Sequence, residues 1–146
     1  MCGLAAVAGR LDAGPAATHA HSHASEGPHH GSLIELGRED YHAELVHDDA
    51  TDTVTVYILD ASATKSVPIT AQQLTLNMRA AGKPQQFTLV ARPQQGEGGG
   101  SASAFTARSK ELCAAIDARG ATGRLNVEIG GKVYVGKVGG HAHPHR

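Results

Sequence analysis

The stretch TVTVYILD, residues 53–60, constrains this chain more than any other. Val54, Val56, Tyr57 and Ile58 are β-branched or aromatic, types that pack well on a pleated sheet and lose rotamer freedom in a helix. Val54, Val56 and Ile58 recur at every second position, the period that lines one face of a strand. YHAELVH (41–47) alternates Tyr41, Ala43 and Leu45 against His42, Glu44 and Val46. Between the two runs lies HDDATD (47–52), whose Asp side chains bond nearby backbone and tolerate tight bends. Together they predict a hairpin.

The same grammar continues along the chain. SLIELG (32–37) reads as a short apolar strand. QLTLNMRA (73–80) and QQFTLVA (85–91) make a second hairpin around AGKP, and VPIT is a short edge segment because Pro68 has no N–H for a ladder. RPQQGEGGGSAS (92–103) reads as a mobile Gly-rich insertion, and SAFTAR (103–108) leads into SKELCAAIDARG. There Ser109 caps a helix, Glu111 suits its positive end, Leu112, Ala115 and Ile116 share a face, and Gly120 stops it. Residues 122–129 and 132–138 meet at Gly130-Gly131, a two-residue hairpin signal. Seven to nine short strands with one helix predict an all-β fold, an immunoglobulin-like antiparallel β-sandwich with flexible His-rich termini; a small barrel is the second choice.

Composition sets the limits on function. The core has to be built from Val, Leu, Ile and Ala, since Trp is absent and only Phe87, Phe105, Tyr41, Tyr57 and Tyr134 are aromatic. A formal charge of −1 with no basic stripe argues against a nucleic-acid partner, and no apolar run reaches the length of a membrane span. Cys2 and Cys113 occupy unlike settings, so no disulfide framework is expected, and Cys113 reads as a buried, inert thiol. MCGLAAVAG followed by Ala/Gly/Pro-rich sequence looks like the end of a secretory segment without its positive start. The expectation is export to the periplasm or cell envelope, and Cys2-Gly3 adds a lipid anchor to it, although a lipobox needs three residues before the cysteine. Domain boundaries follow: 1–28 a flexible His-rich arm, 29–138 the β domain, 139–146 a His-rich tail.

Histidine is the charge reserve. If all ten protonated, the net charge would move from −1 to about +9. His19, His21 and His23 form an H-x-H-x-H run, His141, His143 and His145 repeat it, and His29-His30 stand at the threshold of the domain. In extended chain, residues two apart point the same way with Cα atoms about 6.7 Å apart. Two such imidazoles can close on one ion at about 2.0–2.1 Å, and imidazole suits copper or zinc. A slack arm loses conformational entropy on chelation, so tight binding needs a ligand on the rigid sheet. His42 and Glu44, two apart on one strand, supply it if His29 or His30 reaches across from before the first strand. The bland readings are a solvated strand face for His42 and Glu44, a turn residue for His47, and solubilising sequence for the tails. No nucleophile–base pair or phosphate loop is legible, so the chain is expected not to be an enzyme.

GPHHGSLIELGREDYHAELVHDDATDTVTVYILD resembles the opening of a bacterial envelope-protein family found chiefly in planctomycete-type bacteria, whose pattern runs Gly-Pro-His-x-Gly, ELG, YHAE, an acidic turn and VTVYILD. The likeness is close over residues 27–60 and fair to about residue 136. Its motif positions here are Gly27, Pro28, His29, Gly31, Tyr41, His42, Ala43 and Glu44, with Ser32 where a second glycine is usual. Similar segments accompany heavy-metal efflux adaptors. The resemblance implies a small exported or lipid-anchored protein and metal handling. The functional expectation is an exported, non-enzymatic protein binding copper or zinc through His29, His30, His42 and Glu44, with the tail histidines as capture ligands and an envelope efflux component as partner. The alternative is a structural or protein-interaction module of the envelope without a specific metal site.

Overall fold

The computed structural model describes residues 26–139; His19, His21, His23, His141, His143 and His145 lie outside the described residues. Eight antiparallel strands and one helix follow in order: β1 Ser32–Leu36, β2 Tyr41–Asp48, β3 Thr53–Leu59, β4 Gln73–Ala80, β5 Lys83–Ala91, β6 Ala104–Arg108, α1 Lys110–Asp117, β7 Thr122–Ile129 and β8 Lys132–Gly139. The fold is all-β and sandwich-like, as expected. Its two layers belong to one sheet, ordered β1-β2-β3-β6-β5-β4-β7-β8, that curls nearly into a barrel.

Period-two alternation drives that curl. Ala43 pairs with Ile58 and Leu45 with Val56, all inward and buried. Leu74, Leu76 and Met78 of β4 and Leu125 and Val127 of β7 face them, with Phe105 of β6 fully buried. Each buried Val, Leu, Ile or Phe contributes about 1.5–3 kcal/mol, which is how a core without tryptophan holds. β1 and β8 close the wall side by side. Gly136 makes that approach possible: a Cβ there would sit 2.4 Å from Ile34 Cγ2 and 3.0 Å from the Glu35 carbonyl. Tyr41 and Tyr134 seal the same seam edge to face, centroids 5.4 Å apart.

The three hairpins form where their sequences place them, joined by 49–52, Ala81-Gly82 and Gly130-Gly131. The second is tighter than expected, because β5 takes in Lys83 and Pro84. VPIT makes only an isolated bridge, Ile69 to Ala102, with Ser66 just before it bridging Leu59, while Ala104–Arg108 becomes a full strand against β3. The Gly-rich segment before it is tied down by Glu97, which accepts hydrogen bonds from the Gln94 and Ser103 N–H groups and the Ser103 hydroxyl. Burial alone would raise the Glu97 carboxyl; the Ser103 and Gln94 donors outweigh it and hold the group below its ordinary 4.5. The helix begins at its Ser109 cap, whose hydroxyl accepts from Leu112 N–H, and it covers one end of the barrel beside β3 and β4.

Candidate functional site

β2 carries polar residues on the side away from the core, yet they are not solvated. His42 is 8 % exposed and Glu44 0 %. Two neighbouring loops cover them. Residues 26–31 fold over Glu44, and the turn after β3 reaches His42, whose Nδ1 lies 3.2 Å from the Asp60 carbonyl oxygen.

The loop over Glu44 is specified by its own residues. Pro28 fixes φ at the second position of a turn closed by the His30 N–H donating to the Gly27 carbonyl, 3.0 Å. Gly27 N–H donates in turn to the Gly31 carbonyl, and Glu26 bridges Ser32. The two glycines let the backbone press onto the carboxylate: a Cβ on Gly27 would lie 2.4 Å from Glu44 Cδ, and one on Gly31 2.5 Å from the Leu45 carbonyl oxygen. Three N–H groups then converge. His29 and Gly31 backbone amides donate to Oε1 at 2.7 and 2.9 Å, and the His29 ring donates from Nδ1 to Oε2 at 2.7 Å. A buried carboxylate is tolerated only when its lone pairs are so occupied.

This pairing dictates the state of His29. An ionised carboxylate only accepts, so Nδ1 carries the proton and, in the neutral ring, Nε2 carries the lone pair. The ring stacks flat on Tyr57, centroids 3.7 Å apart and 5° from parallel, and its side chain is 38 % exposed. It is an imidazole held through Nδ1, with no hydrogen bond to Nε2 among the described residues. Carboxylate–imidazole pairs of this kind are the standard support of a metal ligand, fixing tautomer and raising basicity. Among the described residues no hydroxyl or thiol hydrogen-bonds His29.

The other expected residues divide. His30, at φ 64°, turns outward and pairs with Glu26 Oε1 at 2.7 Å. Glu44 has both oxygens engaged, by the His29 ring and by the His29 and Gly31 amides. Among the described residues one set of three His, Cys, Asp or Glu side chains brings its ligand atoms within 4.8 Å of one another, and it does not contain His29, His42 or Glu44.

That set is His47, Asp49 and Cys113, which the sequence reading assigned to a turn and to inert core. His47 has the parity of Ala43 and Leu45, so its ring enters the end of the barrel under α1. Its Nε2 lies 2.8 Å from Asp49 Oδ1 but at an angle too bent for a hydrogen bond, and this buried nitrogen has no other partner. Asp117, one turn after Cys113 on α1, stands 3.4 Å from His47 Nδ1. Burial pushes the Cys113 thiol up, and the charges of Asp52, Asp49, Asp117 and Asp48 push it further. The legible signal was His47 falling in phase with the core positions of its strand.

No family model, curated protein or solved structure matches this chain, so the chemistry of these side chains has to carry the functional reading.

Proposed function

We propose that this chain is a non-enzymatic protein that binds a transition metal, copper or zinc, through histidine, with His29 as its fixed ligand. The observation that carries the reading is the Glu44–His29 pair: a fully buried carboxylate holds Nδ1 at 2.7 Å while the His29 side chain stays 38 % exposed. Orienting the ring beforehand removes part of the ordering cost that makes tail histidines weak ligands on their own. His23 lies six residues before His29 in sequence, and closing so short a loop costs little entropy. His23, His21 and His19, with His141, His143 and His145, would complete the coordination. Export to the envelope, where a metal-efflux component would be the partner, rests on the small-residue N-terminal segment and the resemblance to envelope proteins.

Calorimetric titration of the full chain with Cu(II) and Zn(II) at about pH 7.5, where imidazole is neutral, tests this. Sub-millimolar binding weakened about tenfold or more by His29→Ala is expected. Millimolar or absent binding refutes it. One observation favours the rival interaction module: Val133 and Val135 are exposed together on the outer side of β8. Two valines make a small patch, and that reading expects heats of dilution only.

A further inference from the structure

We propose a second metal site, for a zinc-like divalent ion, built from His47 Nε2, Asp49 Oδ1 and Cys113 Sγ at the end of the barrel under α1. It does not rest on the His29 reading, since it uses different side chains and contains sulfur.

Three features converge. The donors come from three places, β2, the β2–β3 turn and α1, yet their ligand atoms all lie within 4.8 Å of one another. One nitrogen, one sulfur and one carboxylate oxygen form the mixed set that suits borderline zinc better than hard magnesium or calcium. His47 Nε2 is buried and unpartnered in hydrogen bonding, an arrangement costly to leave so and relieved by a metal bond. Tetrahedral zinc with bonds of about 2.0–2.3 Å holds its ligand atoms roughly 3.3–3.6 Å apart. Asp49 therefore has to swing slightly away from His47 and Cys113 Sγ has to draw in, movements of roughly 0.5 Å and up to about 1.5 Å on the same geometry. Asp49 is 76 % exposed and can make its swing freely, which also gives the ion its way in. Asp117, beside Nδ1 of the same ring, is the group that would orient His47 as Glu44 orients His29.

Cobalt(II) is the probe, because a cobalt–thiolate bond gives a near-ultraviolet charge-transfer band that imidazole and carboxylate ligands do not. The full chain carrying Cys2→Ser leaves Cys113 as the sole thiol. Addition of Co(II) is expected to raise this band, and Zn(II) to abolish it by competition. Cys113→Ser should remove it, while Asp49→Asn, an exposed change that leaves the core untouched, should weaken Co(II) binding about tenfold or more. His29→Ala should leave the band intact. Absence of the band overturns the proposal, as does a band indifferent to both Asp49→Asn and His47→Gln. A band lost with His29→Ala overturns it as a separate site, whereas a retained band together with calorimetric binding that His29→Ala leaves unchanged would sink the His29 reading alone.

Discussion

Glu44 and His47 stand on the same strand, both withdrawn from water, and their surroundings are opposite. Glu44 receives three N–H donors, two on Oε1 and one on Oε2, so both oxygens have partners. His47 offers a buried nitrogen that no donor or acceptor meets at a usable angle. A buried group whose hydrogen bonds are made is in balance, whereas a buried nitrogen without one carries an unmet polar cost.

Substitution at the two places is the strongest way to break that contrast. Glu44→Ala would orphan three donors and is expected to cost about 3 kcal/mol in urea denaturation, at about 1 kcal/mol or more for each. His47→Leu without metal should fall within about 1 kcal/mol of the parent, since removing an unsatisfied polar group in favour of apolar contact is close to neutral. Equal losses would erase the distinction. Zinc sharpens it next: at a hundredfold excess over Kd it should stabilise the parent by about 2.7 kcal/mol, an increment reduced by His47→Leu in thermal melts.

Most of the fold was legible because it is written locally. Val54, Val56 and Ile58 announce their inward face, and Gly130-Gly131 its turn, within a few neighbouring residues. The candidate site was half legible. That His29 meets Glu44 follows from β1 pairing with β2, which brings the segment before Ser32 back across the strand. The burial of Glu44 was hidden, because alternation reads an outward polar residue as solvated and cannot see a loop folding over it. His47 was in phase with Leu45, but the turn chemistry of HDDATD supplied a sufficient explanation and masked it. Cys113 reaches His47 only through the packing of α1 over the barrel end, a long-range contact that no spacing encodes.

Smaller effects refine the contrast. Gly27→Ala drives a Cβ into the Glu44 carboxylate and should cost about 1–2 kcal/mol while lowering metal affinity. Gly98→Ala, with open space around it, should change stability by less than about 0.5 kcal/mol. The smallest effect is at Asp60, whose carboxyl is held below its ordinary 3.8 chiefly by the Thr64 N–H and the Ser62 hydroxyl. A depressed carboxyl contributes stability that is present above 3.8 and lost as pH falls through the folded-state value. Protection of the Thr64 and Lys65 amides relative to intrinsic exchange should fall on acidification through that range, and Asp60→Asn should flatten the profile.

The proposed function depends on the His29 ring being held by Glu44 through Nδ1, with Nε2 left to take a metal. Long-range nitrogen–proton correlation spectra of the full chain, recorded with and without Zn(II), read both nitrogens directly. The expected result is a protonated Nδ1 in the metal-free protein and a large shift confined to Nε2 when zinc is added. A ring protonated at Nε2 instead, or an Nε2 resonance that ignores saturating zinc, would contradict the account.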